Sequence, residues 1–582
     1  MQESHYAPRS LLPRPFLDAI MALVDGGMQK AVYADKKTAL ARAYGLRHVP
    51  SDIEILMQLR ADELPRARRL LTSKPVRAGS GIAAIAVMTK PLPCPHGKCT
   101  YCPGGPKSVF GDVPQSYTGN EPASMRGARV GYDIYMQVFT RLEQYLAQGH
   151  LPEKVELILM GGTFPSYSQE YQDEVVHDIF QAMDDFSALF FRKGADDGGR
   201  PLSAFDLEAF KSFFELPGSI MDKERIARIY SRIREHKTTS AIANASIPDL
   251  QTQNEHAAIR CVGFTIETRP SHARREHGLL MLAQGCTRVE LGVQTTFDDV
   301  LTKVHRDHTV QDTIDAVADL RDLGFKLNFH IMLGMPLMDE ARDLAAAHRL
   351  FDDPAFRPDM LKLYPCMVMP GTPLYYDFQQ GKYVPYSTET AARVITAIKR
   401  FIPEYVRVMR IQRDIPTKVI TAGVGQTNLR QVVDELCRNE GVRCRCIRCR
   451  EAKLPCDTPV LKTQEFAASG GMEYFITLED PVRDTLLGFC RLRFPARCLT
   501  PEITPTSAII RELHVYGTMA ALGSGGVVQH RGFGRTLMAE AERIARTHGK
   551  DKMLVISGVG VRQYYIGLGY AHDGPYMSKR LA

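Results

Sequence analysis

Six short apolar runs, each followed by a loop or by helical periodicity, set the strongest limit on how residues 81 to 366 can fold. They are GIAAIAVM (81 to 88), VELILMGGT (155 to 163), CVGFTIETRP (261 to 270), RVELGVQT (288 to 295), LNFHIMLGMP (327 to 336) and MLKLYPC (360 to 366), separated by helical stretches such as TIDAVADLRDLG (313 to 324). Strands alternating with helices pair in parallel through crossovers, because a tight turn returns only an antiparallel neighbour. The pattern predicts a parallel sheet, either an open α/β sheet or a (β/α) barrel. It is interrupted at 191 to 250: FRKGADDGGRPL (191 to 202) has the composition of a loop, and the polar, helical remainder reads as an insertion on the domain surface.

The chain has 582 residues, several times the soft unit of ~150 residues per domain. Composition shifts divide it into a basic helical segment (1–80), the strand and helix body (81–400), a linker dense in Arg and Cys (401–460) and a separate α+β domain (461–582). In the last, YFITL, LLGFCRLRF, IIRELHVYG and MLVISGV alternate with the helix RTLMAEAERIARTHG (535 to 549). Residues 1–80 carry 13 Lys and Arg against 8 Asp and Glu, much of the net charge of +7. That surplus suits an anionic partner, or it decorates solvated helices. With 44% hydrophobic and 24% charged residues the chain matches ordinary globular proteins. It holds no uncharged apolar run long enough to span a bilayer, and MQESHYAPRS lacks the basic-then-apolar pattern of a signal peptide, so a cytoplasmic protein with no membrane partner is expected. Its 13 cysteines, an odd number, argue for metal or redox use of some thiols rather than a disulfide framework.

In KPLPCPHGKCTYCPGGP, Cys94, Cys99 and Cys102 are spaced four and two residues apart in a Pro- and Gly-rich loop after the first predicted strand. Three thiolates are too few to close a tetrahedral zinc site, but they suit a [4Fe-4S] cluster whose fourth iron stays open. The same residues also fit a zinc site completed by His96, or incidental buried thiols. With the parallel-sheet pattern, this loop resembles the radical S-adenosylmethionine (SAM) superfamily. The longer string KPVRAGSGIAAIAVMTKPLPCPHGKCTYCPGGP with QSYTGNEPASMR (115 to 126) resembles the Elongator catalytic-subunit family almost end to end, whose first cysteine interval is unusually long. The resemblance implies a radical-SAM partial (β/α) barrel in which Cys94, Cys99 and Cys102 bind the cluster. SAM would lie against Met160, Gly161, Gly162 and Thr163, and Glu267, Glu290 and Gln294 would supply ligand contacts at later strand ends. A solvated strand terminus is the plainer reading of each Glu.

Near the C-terminus, Gln529, His530, Arg531, Gly532, Phe533, Gly534, Arg535 and Thr536 precede or open a long helix. Backbone N–H groups at a helix start favour a pyrophosphate. Flanked by RELHVYG (511 to 517) and VRQYYIGLGY, the segment resembles the GNAT acetyltransferases. That likeness implies a strand at Glu512, Leu513, His514 and Val515 that takes the pantetheine arm of acetyl-CoA. Phe533 to Thr536 would lie beneath the pyrophosphate, and Tyr564 and Tyr565 would approach the thioester, unless those rings are core aromatics. By the Elongator pattern, Lys154 also contacts acetyl-CoA and takes part in catalysis. Between the domains, Cys444, Cys446 and Cys449 of RCRCIRC suit zinc, with Cys456, Cys437, Cys366 or a histidine open as fourth ligand; a redox-active cluster is the other reading.

The resemblance implies one reaction for both sites: carboxymethylation at C5 of wobble uridine 34 in tRNA. Hydrogen is abstracted from the acetyl methyl group, the carbon radical adds to C5, and the thioester is hydrolysed. Partners would be the tRNA anticodon stem-loop, held by segment 1–80 and by Arg-rich 438–453, an electron donor for the cluster, and a second copy in a homodimer. A protein lysine acetyltransferase with a structural iron–sulfur cluster is the competing class.

Overall fold

The computed structural model describes residues 11–73, 81–195, 201–219, 221–454, 456–516 and 532–581. They form two compact units. The first gathers 1–85, 134–155 and 175–261, and the second 86–133, 156–174 and 262–582.

The first unit is mainly helical and is held by aromatic packing. Phe139 of helix Ile134–Ala147 meets Phe186 at 4.9 Å between centroids, Phe186 meets Phe190 at 4.6 Å, and Phe210 meets Phe214 at 4.8 Å. The 191–250 stretch, read from sequence as a surface insertion, thus supplies core to this unit. Its apolar side is carried by phenylalanines that a polarity average hides. The segment FRKGADDGGRPL also starts and ends in strand, its flanks pairing antiparallel with Phe191 opposite Phe205. At the N-terminus the basic helices are partly self-neutralised: Lys37 pairs with Asp52 at 2.6 Å and Arg66 with Asp25 at 2.8 Å.

In chain order the strands are β1 (Ile82–Met88), the hairpin β2 (Gly105–Ser108) and β3 (Gly111–Val113), β4 (Lys154–Met160), the hairpin β5 (Phe191–Ala195) and β6 (Pro201–Phe205), β7 (Arg260–Thr268), β8 (Arg288–Gln294), β9 (Lys326–Leu333), β10 (Met360–Pro365) and β11 (Arg407–Arg410). The large sheet runs β1-β4-β7-β8-β9-β10-β11, and β7 to β11 pair in parallel. Its strands follow sequence order with no reversal, which is the winding of a partial barrel rather than of an open sheet with a switch point. The seventh strand lies beyond residue 400, in what the sequence presents as linker.

The remaining strands are β12 (Val460–Ala468), β13 (Gly471–Asp480), β14 (Thr485–Phe494), β15 (Ser507–Val515), β16 (Lys552–Val555), β17 (Ala571–Asp573) and β18 (Tyr576–Arg580). They form a second sheet, β12-β13-β14-β15-β16-β18-β17, antiparallel except between β15 and β16. Helix Phe533–Thr547 covers one face, burying Leu537, Met538, Ala541, Ile544 and Ala545 against Ile476, Cys490, Leu492 and Ile510.

The other face meets the N-terminal ends of the barrel strands through arginines. Arg511 bonds both oxygens of Asp359, at 2.6 and 2.8 Å, and the Phe325 carbonyl at 2.7 Å. Arg491 donates to the Tyr405 carbonyl at 2.8 Å and lies 3.4 Å from Asp359, while Arg493 pairs with Asp322 and with Glu473. All these side chains are buried. Burial alone raises the Asp359 carboxyl, but Arg511 and Arg491 overcome it and hold the group well below the usual carboxylate range. A depressed folded-state value stabilises at pH above the unfolded value of ~3.9 and is lost as pH falls below it. Asp359→Asn leaves two buried guanidinium groups short of charge, so unfolding in urea is expected to show a loss of about 3–5 kcal/mol at pH 7. The gap between variant and wild type is expected to shrink as pH drops below ~4.

Candidate functional site

The loop after β1 carries Cys94, half-buried, and Cys99 and Cys102, both buried, at the C-terminal end of the large sheet. Thr163 Oγ1 lies 3.7 Å from Cys94 Sγ, His96 Nε2 3.3 Å from Cys99 Sγ, and Gln115 Oε1 accepts from Cys102 at 3.2 Å. Arg306 donates to the Gly292 carbonyl at 2.9 Å and reaches Cys99 Sγ at 3.6 Å, a cation aimed at a thiol. Burial raises the Cys94 and Cys102 thiols, and burial with the fields of Arg269 and Arg306 lowers His96 to about 4. Among the described residues, His96 and the three thiols do not converge on one point as single-ion ligands do, whereas Cys444, Cys446 and Cys449 do, as do Glu267, Glu290 and His330. A wider spread of thiols suits a multinuclear cluster.

The strand end beside this loop is built for close approach. Gly161 (φ 112°) and Gly162 (φ 86°) are left-handed; the Gly161 carbonyl accepts from Thr89 Oγ1 at 2.7 Å and from Tyr167 Oη at 3.0 Å. Gln294, at φ 70°, ends β8 with its buried Oε1 lacking a partner, and the Thr295 and Thr296 hydroxyls beside it are likewise unpartnered. Such atoms are costly unless a ligand meets them. Glu267 accepts from Tyr117 Oη at 3.1 Å and stays partly open. Glu290 differs: it is enclosed, bonded by Asn328 at 3.0 Å, by His330 at 2.8 Å and by Lys362. Its surroundings are those of an internal anchor for Lys362, which also lies 3.6 Å from Glu267.

At the opposite end of the strands, β15 and β16 pair only from Ser507 with Lys552 to Ile510 with Val555. Among the described residues, Glu512, Leu513, His514 and Val515 continue past the end of β16 and pair only to β14, which leaves a parted strand edge. Gly532, at φ 82°, caps helix Phe533–Thr547, whose first turn holds Gly534, Arg535 and Thr536. The Tyr564 hydroxyl rests against Gly534, 2.6 Å from where a Cβ would stand, and its ring is 39% exposed; Tyr565 is buried among core residues with Tyr570. Gln529, His530 and Arg531 lie outside the described residues. Lys154 opens β4 in the first unit, where burial and then Arg260 lower its ammonium.

The sulfur atoms of Cys444, Cys446 and Cys449 lie within 4.8 Å of one another. Contacts from Cys444 and Cys449 hold the Cys446 thiol well below its usual range, the polarity of a nascent thiolate site. Cys456 packs instead in the apolar core with Tyr474, Ile476 and Leu487. Arg445 and Arg450 of the same segment are engaged by Glu404, at 2.6 and 3.2 Å, and Arg450 by Glu479 at 2.6 Å, while Arg443 pairs with Asp484 at 2.5 Å. Segment 438–453 therefore presents far less free positive charge than its composition suggests. Arg306, Lys362 and Gln115 were missed in the sequence reading; Gln115 falls within QSYTGNEPASMR, but only folding brings the other two to the site.

Residues 93–347 match the radical SAM superfamily and 358–438 the radical SAM C-terminal domain. The chain is 41% identical over 551 residues to the tRNA uridine(34) acetyltransferase of Methanocaldococcus jannaschii, spanning 92% of this chain and 91% of that protein. It is 38% identical over 562 residues to Elongator complex protein 3 of Saccharomyces cerevisiae, spanning 94% and 91%. Among solved structures, Methanocaldococcus infernus Elp3 with an N-terminal deletion superposes with a TM-score of 0.68 at 36% identity, over 86% of this chain and 100% of that one.

A Cβ at Gly162 would lie 2.6 Å from Tyr167 Oη in a left-handed backbone. Gly162→Ala is expected to cost about 1–3 kcal/mol in thermal or urea unfolding. Tyr167→Phe in the same chain should recover only the part due to the hydroxyl.

Proposed function

Because the chain belongs to the family that holds Elongator complex protein 3 and the archaeal tRNA uridine(34) acetyltransferases, we propose that it carboxymethylates C5 of wobble uridine 34 in tRNA, with acetyl-CoA as carbon donor. The observation that carries this reading is the union in one compact unit of a three-thiol loop at one end of the parallel strands and a parted acyl-CoA-type strand at the other.

When bound, a [4Fe-4S] cluster and SAM supply a 5′-deoxyadenosyl radical able to take hydrogen from an unactivated C–H bond, here the acetyl methyl. Cys94, Cys99 and Cys102 would hold the cluster, with Arg306 offsetting its negative charge. Gly161 and Gly162 would let the SAM amino group approach the backbone, and the unpartnered Gln294 Oε1 and the partly exposed Glu267 would accept hydrogen bonds from it. The product requires a bond from the methyl carbon to C5, loss of the C5 hydrogen as a proton and one electron, which the cluster's redox couple would take up, and cleavage of the thioester by water. Backbone groups of Glu512 to Val515 would line the pantetheine arm, the helix start at Gly532 to Thr536 the pyrophosphate, and Tyr564 the arm beside Gly534. Cys444, Cys446 and Cys449, with a fourth ligand still to be assigned, would bind a structural zinc that fastens the two sheets, since their segment pairs on one side with Glu404 and on the other with Glu479.

Reconstituted protein incubated anaerobically with SAM, a reductant, acetyl-CoA and tRNA is expected to yield 5′-deoxyadenosine and carboxymethyluridine, read by mass spectrometry. Absence of both would overturn the proposal. Cys446→Ser is expected to lower bound zinc by about one equivalent in metal analysis without removing the iron absorbance near ~400 nm.

A further inference from the structure

Thioester cleavage by water needs a group that takes the water's proton, and the parted end of β15 offers a candidate. This candidate base rests on the acetyl-CoA reading above. Along β15, Glu512 and His514 share the face of their cross-strand partners Arg491 and Phe489, the face whose arginines reach the barrel. The His514 ring lies nearly parallel to Phe489, at 5.8 Å and 12°, and 4.5 Å from Tyr516. These rings fix its plane, yet neither nitrogen has a hydrogen-bond partner among the described residues.

The other proton-handling groups of this strand and of the residue that follows it are engaged. Glu512 accepts from Arg491 Nε at 2.9 Å, and Tyr516 Oη accepts from Arg407 at 2.7 Å. Cys490 is buried on the opposite face, in the core beneath the long helix. Charges face His514 from every element around it: Glu512 on its own strand, Arg407 from β11, Lys326 from β9 and Glu156 from β4. Burial lowers the imidazole to about 4 against the opposing field of Glu512, and Arg407 and Lys326 add to the lowering, so its lone pair is available at neutral pH.

We infer that His514 is the general base of the thioester hydrolysis. Its free nitrogen takes a proton from water as the water oxygen bonds to the acyl carbon. The C–S bond then breaks with its electron pair on the CoA sulfur, which recovers the proton from the imidazolium.

The test uses the full reconstituted chain with SAM, reductant, acetyl-CoA and tRNA. At saturating acetyl-CoA, His514→Ala is expected to form 5′-deoxyadenosine but to release CoA thiol about 100-fold more slowly than the wild type. Its tRNA should then carry an uncleaved CoA thioester by mass spectrometry, and added imidazole should restore release, which a merely structural role would not allow. At saturating acetyl-CoA, His514→Gln, with a polar side chain of similar reach, should lose release as well. CoA release at the wild-type rate in either variant, or a loss in His514→Ala that imidazole does not rescue, overturns the assignment. A wild-type protein that forms no 5′-deoxyadenosine overturns the parent reading instead.

Discussion

Everything else in the larger unit depends on how three arginines of one sheet are neutralised by the strand ends of another. Arg491, Arg493 and Arg511 project from β14 and β15 into a region where all three are almost wholly buried. A buried guanidinium without a matching carboxylate costs several kcal/mol. Asp359 and Asp322 supply that match from the barrel, Glu473 from the second sheet itself, and the remaining N–H groups find carbonyls of Phe325, Tyr405 and Ala468. Phe475 and Phe489 flank the Arg491 guanidinium at 5.1 and 5.2 Å and exclude water from it. An interface built this way is specific: a shift of one strand position would strand a charge in the interior.

That specificity decides where the two sites lie. Asp359 stands immediately before β10, so the second sheet docks at the N-terminal ends of the barrel strands, while the cysteine loop and the Gly161–Gly162 turn lie at their C-terminal ends. The partial barrel leaves its C-terminal face to the cluster loop, where barrels of this class gather their ligands. Its other face is occupied by the parted edge of β15.

The strand alternation, the three-cysteine loop and the glycine-led helix were legible in the sequence because each is a local signal: periodicity, spacing or a helix start. The barrel winding, left open beside an open sheet, was settled by strand order, which no local pattern encodes. The 191–250 stretch misled because its buried phenylalanines are diluted by charged helix faces. The arginines of 438–453 looked like a nucleic-acid surface because composition counts charges and not their partners; Glu404, Glu479 and Asp484 lie 29 to 46 positions from the arginines they meet. Tyr564 and Tyr565 are adjacent in sequence yet have opposite fates, because one helical step of about 100° turns one ring to the helix start and the other to the core.

Barrel interiors are ordinarily filled with layers of branched apolar residues. Here the middle layer is ionic: Glu267 and Glu290 stand opposite each other on β7 and β8, and His330 and Lys362 opposite each other on β9 and β10. Such a layer pays a desolvation penalty that apolar residues of similar volume would avoid, and it holds only because every charge has a partner across the strands. Lys362 meets both carboxylates, and Asn328 takes an oxygen of Glu290 that would otherwise be left bare. Below it, Arg288 continues the alternation to Glu156, and beyond these lie Lys326, Glu512 and His514. The interior between the two sites is therefore polar throughout its length, with compensated charge at each level. A packed apolar core would be more stable, but it would set a dry wall between the three-thiol loop and the parted edge of β15, which the proposed chemistry requires to act on one substrate.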